Sequence, residues 1–475
     1  MQVQGRLWMA FLLTLSIGCQ KQTQDFSNPL LADSTSQLNP SSFPGIVQEQ
    51  SPNIVLLTID TLRADFLSTY GGPAYTPNLN QLAERGWLFK HCYSTSMLTN
   101  PSHASIMTSL YPKDHGVYDN QTGIQDGLPT LAVAMQRRGY RTLAVMSFPH
   151  LNQETSNLGQ GFDHVIQADS PGRDAHSAVA HALSLIDQVK DDEKFFIWIH
   201  LVDPHAPYHA QSPHHVDPIE KLDSKPMKLV RKMAPNFQKK NKWFQWAMSK
   251  FTTTRPLVQR YISEIQRADE GLGELMNELT KRGHGDDTAY FITSDHGENL
   301  GEHNLFFHHG GLYKETVHVP LVMYVPNQNP TINSELVQTI DIAPTILELT
   351  NTPMWSPMRG QSLVDLANGR ALGRSFVFSE HMNADMLAVR TKDSSLIIHR
   401  KSGSQFPGYK INKGRVEFYN LRQDPNEQTP LTRPSTQKAR LQAQAKIFLS
   451  SSYAYKARPA YAQDLESLRV LGYLE

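Results

Sequence analysis

Cysteine is nearly absent from this chain, which has only Cys19 and Cys92 among its 475 residues. A disulfide framework is excluded as the source of stability, because Cys19 lies in a leader-like segment and is not expected to pair. Cys92, in GWLFKHCYST, is expected to pack as a small apolar residue, with a catalytic thiol as the alternative. Stability must therefore come from a hydrophobic core, for which 475 residues with 39% apolar content suffice.

The chain also lacks net charge, because Lys plus Arg and Asp plus Glu both number 45. Without a global basic field, nucleic acid is not an expected partner, and net charge gives no support to a membrane-surface role. The local exception is residues 221–250, which are basic with Trp and Phe interleaved. We interpret about residues 215–255 as an insertion, either a solvated, partly helical excursion or a patch for an anionic substrate or lipid head groups.

The apolar run at the N-terminus is short. It extends from Leu7 to about Ile17 after the single Arg6, too short to span a bilayer comfortably but the size of a signal-peptide core. The sequence LSIGC that follows resembles the bacterial lipobox. That resemblance implies a signal peptide over residues 1–19 and lipidation of Cys19, whose acyl chains would anchor the protein by burying methylenes. A plain secretory peptide or an uncleaved anchor is the alternative.

Residues 20–51 are polar and rich in Ser, Gln and Pro, which predicts a flexible tether rather than a domain. Gln20, and not Asp, follows the cysteine, and by the same resemblance this favours the outer membrane. The expected location is the bacterial cell envelope, with the lipid anchor in the membrane and the body of the chain facing the periplasm or the exterior.

Strand-like and helix-like segments alternate from residue 52 onward. The apolar run at residues 54–57 predicts a strand buried on both faces of a parallel sheet. Further helices are predicted in PNLNQLAERG, PTLAVAMQRRG, HSAVAHALSLIDQVK and RYISEIQRADEGLGELMNELTKRG, and further strands in YRTLAVMS, KFFIWIHL and DDTAYFIT. The alternation predicts an α/β fold, a doubly wound mixed sheet flanked by helices. The short strands SSLIIHRK and RVEFYNL predict a smaller C-terminal α+β subdomain with a helical tail over residues 369–475.

Acids and histidines follow three of the predicted strands: Asp60, then Asp203 with His205, then Asp295 with His296. Ligands of open α/β sheets collect at the carboxyl edge, so these groups are expected to lie together, although each one alone could be a turn residue. Buried carboxylates are unfavourable unless they are paired or bind a metal. The oxygen-rich set therefore predicts a site for Ca²⁺, Mg²⁺ or Mn²⁺.

Residues 96–112, SMLTNPSHASIMTSLYP, place hydroxyls, a proline and a histidine before a helical run. A hydroxyl near a divalent cation is partly deprotonated, so Thr99 or Ser102 could attack an anionic ester. Histidines could bind the ester oxygens or protonate the leaving group, and each could equally be structural. The candidates are His115, His205 and His309.

The ordered motifs resemble the sulfatase family of the alkaline phosphatase superfamily over about residues 52–475. They are NIVLLTIDTLRAD, PSHASIMTSLYPKDHGV, DPHAPY, TSDHGENLGEH, HHGGLYKETVHVPLVMY, TIDIAPTILEL, EFYNLRQDPNEQTPL and LRVLGYLE. The resemblance implies an alkaline-phosphatase-like fold, a catalytic domain over residues 52–368 and one divalent metal, Ca²⁺ with Mg²⁺ or Mn²⁺ as alternatives. By position it also implies the metal ligands Asp60, Asp295 and His296, the substrate contacts His205 and His309, the nucleophile's neighbour His115, and the substrate-binding residues His103 and Lys113.

Three positions depart from the family's pattern. Thr61 stands where the family often has a second acid, and His103 replaces the signature arginine. Thr99 stands where sulfatases oxidise Cys or Ser to formylglycine, and threonine cannot form that aldehyde because its β-carbon carries a methyl group. In related branches, such as nucleotide pyrophosphatases and phosphoglycerol transferases, threonine forms a phospho-enzyme instead. In-line displacement at phosphorus suits such an attack.

The sequence therefore predicts a metal-dependent hydrolase of anionic esters, sulfate or phosphate, that attacks through Thr99. Phosphoester hydrolysis or phosphoryl transfer is favoured on chemical grounds, and the substrate is expected to be a glycan, a lipid or a small molecule outside the cytoplasm. Two alternatives stay open. One is a catalytically silent binding lipoprotein that keeps the fold, and the other is an ordinary sulfatase that modifies Ser96 or Ser102.

Overall fold

The computed structural model describes residues 51–168, 173–209, 224–233, 242–406, 409–451, 453 and 455–459. The strands are β1 (Asn53–Ile59), β2 (Trp87–Tyr93), β3 (Thr122–Gly123), β4 (Arg141–Val145), β5 (His164–Ile166), β6 (Phe195–Leu201), β7 (Thr288–Thr293), β8 (Asn299–Leu300), β9 (Phe306–His308), β10 (His318–Tyr324), β11 (Thr331–Gln338), β12 (Val377–Glu380), β13 (Met386–Arg390), β14 (Ser394–His399), β15 (Gly403–Phe406), β16 (Tyr409–Ile411), β17 (Val416–Asn420) and β18 (Arg458–Pro459). The α-helices are α1 (Pro77–Arg85), α2 (Thr99–Thr108), α3 (Pro112–His115), α4 (Leu131–Arg138), α5 (Gln153–Ser156), α6 (Ala175–Ile186), α7 (Met227–Met233), α8 (Lys242–Lys250), α9 (Arg255–Lys281), α10 (Lys314–Val317), α11 (Ile342–Leu349), α12 (Val364–Ala367) and α13 (Thr436–Ser450).

An eight-stranded mixed sheet in the order β11-β2-β10-β7-β1-β6-β4-β5 forms the centre of the fold. Neighbouring strands pair in parallel except where β10 pairs antiparallel with β2 and with β7. The predicted α/β fold with a mixed sheet is therefore confirmed. Because β7, β1 and β6 are adjacent and parallel, their carboxyl ends meet at one edge of the sheet.

Alternation along β1 divides its side chains between two helical layers. Val55, Leu57 and Ile59 belong to the same buried cluster as apolar residues of α6 and α9. Thr58 lies on the other face, where its hydroxyl bonds the His103 ring of α2. Every residue of β1 is buried, as its continuous apolar run predicts. The face that carries Thr58 therefore also directs the next even residue, Asp60, towards α2.

Local signals set the bounds of α4 as predicted. The Thr130 hydroxyl accepts a hydrogen bond from the Val133 N–H and caps the first turn. Gly139 ends the helix at φ 102°, where its N–H bonds the last carbonyls, and the chain enters β4 two residues later.

A second, antiparallel sheet in the order β12-β13-β14-β17 follows in the chain, and α13 packs against it through Leu441, Ala445 and Phe448. This is the smaller C-terminal α+β subdomain that the sequence predicts. The main-chain bridge between Ser96 and Glu380 joins it to the segment that precedes α2.

The predicted signal peptide, Cys19 and the tether up to residue 50 lie outside the described residues. The proposed basic insertion is described only in part, where it forms α7 and α8. Within the described ranges, none of the helices combines the length and apolar character that crossing a bilayer requires.

Buried histidines predict an acid-sensitive fold. Burial lowers the pKa of His115, His308 and His381 from 6.5 to about 3. The unfolded chain takes up these protons near pH 6.5, whereas the folded protein does not until about pH 3, so stability present above pH 6.5 is lost as the pH falls. Each ring contributes up to ~1.4 kcal/mol per pH unit in that window.

Urea unfolding between pH 7.5 and 4.5 measures this dependence. The slope of unfolding free energy against pH reports how many more protons the unfolded chain binds. We expect His381→Gln to lower that number by about one. We expect the control His209→Gln, which alters an exposed side chain, to leave the slope unchanged. A free energy of unfolding that is constant from pH 6.5 to 4.5 would contradict the prediction.

Candidate active site

The central sheet brings the acids and histidines that follow its parallel strands to one edge. Asp60 follows β1, Asp295 and His296 follow β7, and His205 follows β6. The carboxylates of Asp60 and Asp295 and the ring of His296 are fully buried. One ligand atom from each of these three residues lies within 4.8 Å of the others. The structure thus assembles the predicted metal ligands at the edge where the three strands end.

Distances within this cluster exceed hydrogen-bond length. His296 Nε2 lies 3.4 Å from Asp295 Oδ2 and 3.8 Å from Asp60 Oδ1. Both carboxylate oxygens of Asp60 and Oδ2 of Asp295 are buried without a hydrogen-bond partner among the described residues. Buried acceptors of this kind are costly unless a cation satisfies them. The donor set therefore fits a divalent metal ion.

The electrostatics of the two acids support the same conclusion. Burial acts to raise the pKa of Asp60, but the rings of His205, His200 and His296 outweigh it and hold that pKa below its ordinary value. For Asp295, burial and the neighbouring Asp60 carboxylate together raise the pKa. Two buried carboxylates that repel each other are stabilised when a cation lies between them.

Backbone contacts orient His296 and Asp295. His296 Nδ1 lies 3.0 Å from the Gly297 carbonyl, to which it donates, so Nε2 is left facing the two carboxylates. Such a contact is the usual support of a metal-binding histidine. Asp295 Oδ1 accepts from the N–H groups of His296 and Thr61. Its Oδ2 is left for the cluster.

Thr61 occupies the position of the family's second acid in an unusual conformation. Its φ is 57°, in the left-handed region that β-branched residues rarely adopt. The Tyr261 hydroxyl holds it by donating to the Thr61 carbonyl at 2.7 Å. The Thr61 hydroxyl is buried without a hydrogen-bond partner among the described residues. Strain of this kind marks functional sites.

Thr99 is the first residue of α2, and its hydroxyl oxygen lies 3.4 Å from His296 Nε2. The side chain is buried, at 2% exposure. The structure therefore places the predicted nucleophile against the predicted metal ligands. The positive end of the helix dipole lies at the same point, where it favours an anion.

Further histidines surround the cluster. The His309 ring lies 4.4 Å from the His296 ring and 5.5 Å from the His205 ring, measured between centroids. Burial lowers the pKa of both His205 and His309. Both rings therefore lie beside the cluster as neutral groups with one N–H each. The N–H of His205 is at Nδ1, which donates to the Ala206 carbonyl, so its Nε2 is an acceptor.

His103 has a different environment from the one predicted. Its Nδ1 donates to the Thr99 carbonyl at 2.9 Å, and its Nε2 pairs with the Thr58 hydroxyl at 3.0 Å. Burial lowers its pKa to about 3, so the ring is neutral. It therefore cannot supply the positive charge of the arginine it replaces, and both of its nitrogens are engaged by protein atoms.

Lys113 and His115 belong to α3, which follows α2 in the chain. The Lys113 ammonium lies 2.8 Å from the Asp114 carboxylate and also contacts the Ser451 carbonyl. The His115 ring bonds the Ser105 hydroxyl at 3.0 Å and accepts from the Val117 N–H. The structure does not bring either side chain to the cluster, because each is held by structural partners.

Asp203 also turns away from the cluster. Its Oδ2 accepts from the N–H of Ala175 at the start of α6, and Arg267 of α9 lies 3.8 Å from its Oδ1. Its backbone nevertheless leads into the turn that carries His205.

Three residues near the cluster escaped the sequence analysis. His200 lies inside β6, and its Nε2 is 3.6 Å from Asp60 Oδ2. His150 follows β4, the strand next to β6, and burial lowers its pKa to about 3 against the opposing effect of the Asp60 carboxylate. Glu298 Oε1 lies 3.5 Å from His309 Nδ1. The expectation that polar residues after parallel strands meet at one edge of the sheet also applies to β4 and would have identified His150. His200 could not be identified in this way, because it lies within an apolar run.

Replacing Lys113 by methionine tests its placement. Because Asp114 and Ser451 hold the ammonium, we expect kcat/KM to stay within about twofold and the free energy of unfolding to fall by about 1 kcal/mol. Steady-state kinetics and urea unfolding measure the two effects. A tenfold rise in KM with unchanged stability would restore the substrate-binding role predicted for Lys113.

Comparison with known proteins identifies the family. The family model described as "Sulfatase" matches residues 52–352, and the model described as "N-sulphoglucosamine sulphohydrolase, C-terminal" matches residues 301–450. The chain is similar to an arylsulfatase of Clostridium perfringens, at 24% identity over 84% of this chain and 94% of the relative. It is also similar to the multifunctional alkaline phosphatase superfamily protein PehA of Trinickia caryophylli, at 26% identity over 67% and 77%.

A solved structure of a protein bound to its substrate D-glucosamine-2-N,6-O-disulfate shares the fold, with a TM-score of 0.69 at 20% identity over 84% of this chain and 98% of that chain. Because the first family model covers more than half of the residues, the chain belongs to the sulfatase family and is a sulfatase-like ester hydrolase of the alkaline phosphatase superfamily.

Proposed function

We propose that this protein hydrolyses phosphate-type anionic esters with the Thr99 hydroxyl as the nucleophile. The observation that carries the proposal is the position of this hydroxyl, 3.4 Å from His296 Nε2 at the first residue of α2. Threonine cannot form the aldehyde that the family's sulfate chemistry uses. A direct attack by its hydroxyl suits phosphorus, which accepts in-line displacement.

The reaction balances in two displacements. Thr99 Oγ1 loses its proton and bonds to phosphorus, while the bond from phosphorus to the leaving oxygen breaks and the leaving alcohol gains a proton. Water then bonds to phosphorus and loses a proton, the bond from phosphorus to Thr99 Oγ1 breaks, and Thr99 Oγ1 regains a proton. A divalent ion held by Asp60, Asp295 and His296 would lower the pKa of a hydroxyl beside it.

Residues around Thr99 would bind the ester and protonate its leaving group. His205 and His309 lie 5.5 Å apart between ring centroids, beside the cluster. A neutral His309 ring can donate its one N–H to a phosphoryl oxygen or to the leaving oxygen. Because His205 Nδ1 donates to the Ala206 carbonyl, its Nε2 can donate to the ester only when the ring is protonated. The N-terminus of α2 stabilises both the Thr99 alkoxide and the incoming anion. Glu298 Oε1 lies 3.5 Å from His309 Nδ1.

Sulfate esters are the second candidate substrate. One relative is named arylsulfatase, and the name of another records more than one function within the superfamily. Attack by Thr99 on sulfur would leave a sulfated threonine, so the same residue would act in either reaction. The organic part of the substrate is proposed to be a glycan, a lipid or a small molecule.

A substrate panel tests the proposal. Wild-type protein is assayed with p-nitrophenyl phosphate, bis(p-nitrophenyl) phosphate, p-nitrophenyl phenylphosphonate and p-nitrophenyl sulfate. We expect turnover of at least one phosphorus ester to exceed turnover of the sulfate. Acid-quenched protein incubated with ³²P-labelled ester is expected to carry label on the Thr99 peptide. Turnover of the sulfate alone would contradict the proposal.

We also propose that Cys19 carries the lipid anchor, which would place the substrate in the bacterial cell envelope. The support is the LSIGC sequence after a short apolar run. We expect wild-type protein to incorporate labelled palmitate and to sediment with membranes, and Cys19→Ser to do neither. Equal labelling of the two proteins would rule the anchor out.

A further inference from the structure

His200 is a buried histidine whose nitrogens lack the partners that burial demands. It lies in β6 opposite Thr58 of β1 and is 0% exposed. Neither Nδ1 nor Nε2 has a hydrogen-bond partner among the described residues. An imidazole in such a place normally bonds through at least one nitrogen, because an unsatisfied polar atom in the interior is costly. A bound ligand would satisfy these nitrogens.

The nearest acceptor shows where that partner would bind. His200 Nε2 lies 3.6 Å from Asp60 Oδ2, while His296 Nε2 lies 3.8 Å from Asp60 Oδ1. The carboxylate thus lies between two imidazoles, at distances too long for hydrogen bonds. Ligands ~2.0–2.2 Å from one ion lie about 3–4 Å from each other, which matches the separation of each imidazole from the Asp60 carboxylate.

His103 is less suited than His200 to bind a metal ion. A ligand atom of His103 lies within 4.8 Å of ligand atoms of His200 and Asp295. However, both nitrogens of His103 are already engaged, by the Thr99 carbonyl and the Thr58 hydroxyl. His103 would have to give up one of these contacts to bind a metal, whereas His200 would give up none.

We propose that His200 is a direct ligand of the metal site formed by Asp60, Asp295 and His296, and that this second imidazole makes the site prefer Zn²⁺ to Ca²⁺. The inference rests on the metal dependence in the proposed function. Calcium takes six to eight oxygen ligands, whereas imidazole nitrogen suits zinc. Two histidines beside two carboxylates form a donor set typical of zinc.

Metal binding to the metal-free full-length protein tests this without substrate. Isothermal titration with Zn²⁺ and with Ca²⁺ compares wild type, His200→Gln and the control His115→Gln, whose buried ring lies outside the cluster. We expect wild type to bind Zn²⁺ more tightly than Ca²⁺. We expect His200→Gln to weaken Zn²⁺ binding at least ~100-fold, the upper end of what removal of a supporting residue does. His115→Gln is expected to bind as wild type does.

Two spectroscopic measurements separate a ligand from a residue that only positions Asp60. The visible absorption bands of the Co²⁺-loaded protein are expected to shift in His200→Gln and not in His115→Gln. X-ray absorption of Zn²⁺-loaded wild type is expected to show two imidazoles, and this measurement needs no variant to fold. Tighter Ca²⁺ binding by wild type, unchanged Co²⁺ bands in His200→Gln or a single imidazole at zinc would overturn the proposal. A substrate panel without turnover would refute the proposed function and leave these binding results intact.

Discussion

Replacing Thr99 by valine is expected to lower kcat at least ~10³-fold, because the variant keeps the shape of the side chain and loses only the attacking oxygen. Removing a catalytic nucleophile has an effect of this size or larger in well-studied hydrolases. The site itself should stay assembled, because the hydroxyl has a single described contact, at 3.4 Å from His296 Nε2. Steady-state kinetics on the best ester of the panel measure the loss.

Two controls make that result specific. Thr95→Val alters a buried threonine nearby whose hydroxyl has no hydrogen-bond partner among the described residues, and it should keep full activity. Thr99→Ser retains a hydroxyl and should retain measurable turnover, with the labelled phosphate on the serine. If Thr99→Val kept more than a tenth of the wild-type kcat, another group would have to be the nucleophile.

Removing the metal is expected to destabilise the protein strongly. Chelation leaves two repelling carboxylates, Asp60 and Asp295, buried together, and three of their four oxygens have no hydrogen-bond donor within the described part of the chain. At a free metal concentration 1,000 times Kd, the bound ion stabilises the fold by ~4 kcal/mol. Calorimetry with and without chelator, followed by readdition of Zn²⁺, measures the loss and its reversal. Activity should be lost and recovered over the same titration.

The double variant Asp60→Asn/Asp295→Asn provides the control for this prediction. Because the two amides carry no charge, we expect its metal-free form to be more stable than metal-free wild type and its stability not to respond to Zn²⁺. Wild-type protein whose unfolding temperature is the same with and without metal would show that no ion stabilises this cluster.

The strand-end residues were predictable from the sequence because parallel strands impose a simple geometry. Asp60 and the pair Asp295 and His296 each follow a buried strand directly, and adjacent parallel strands place such residues at one edge. His150 obeys the same rule after β4, but four residues separate it from the strand end, so the signal was weaker. Asp203 also follows a parallel strand in the sequence. Its carboxylate is not part of the cluster, because it accepts a hydrogen bond from the N–H of Ala175.

The roles predicted for Lys113 and His115 rest on their closeness to Thr99 in sequence, and they stay predictions. Both belong to the motif that carries Thr99, yet α2 lies between them and the nucleophile. Lys113 is held by Asp114 and the Ser451 carbonyl, whereas the His115 ring bonds the Ser105 hydroxyl and the Pro101 backbone within α2. His103 is four residues from Thr99, on the same helical face, and the hydrogen bond from its ring to the Thr99 carbonyl follows from that spacing.

The sequence by itself determined the sheet, its flanking helices, the family and the acids that follow β1 and β7, because hydrophobic periodicity and strand ends are local properties of the chain. Only the tertiary structure decided which side chains are free to act on a ligand. Both nitrogens of His103 have protein partners, and the Lys113 ammonium contacts Asp114. His200 lies beside Asp60 and has no hydrogen bond to any other described residue. The physical reason is that a polar side chain's role depends on the partners that other segments bring to it, and those segments are distant in sequence.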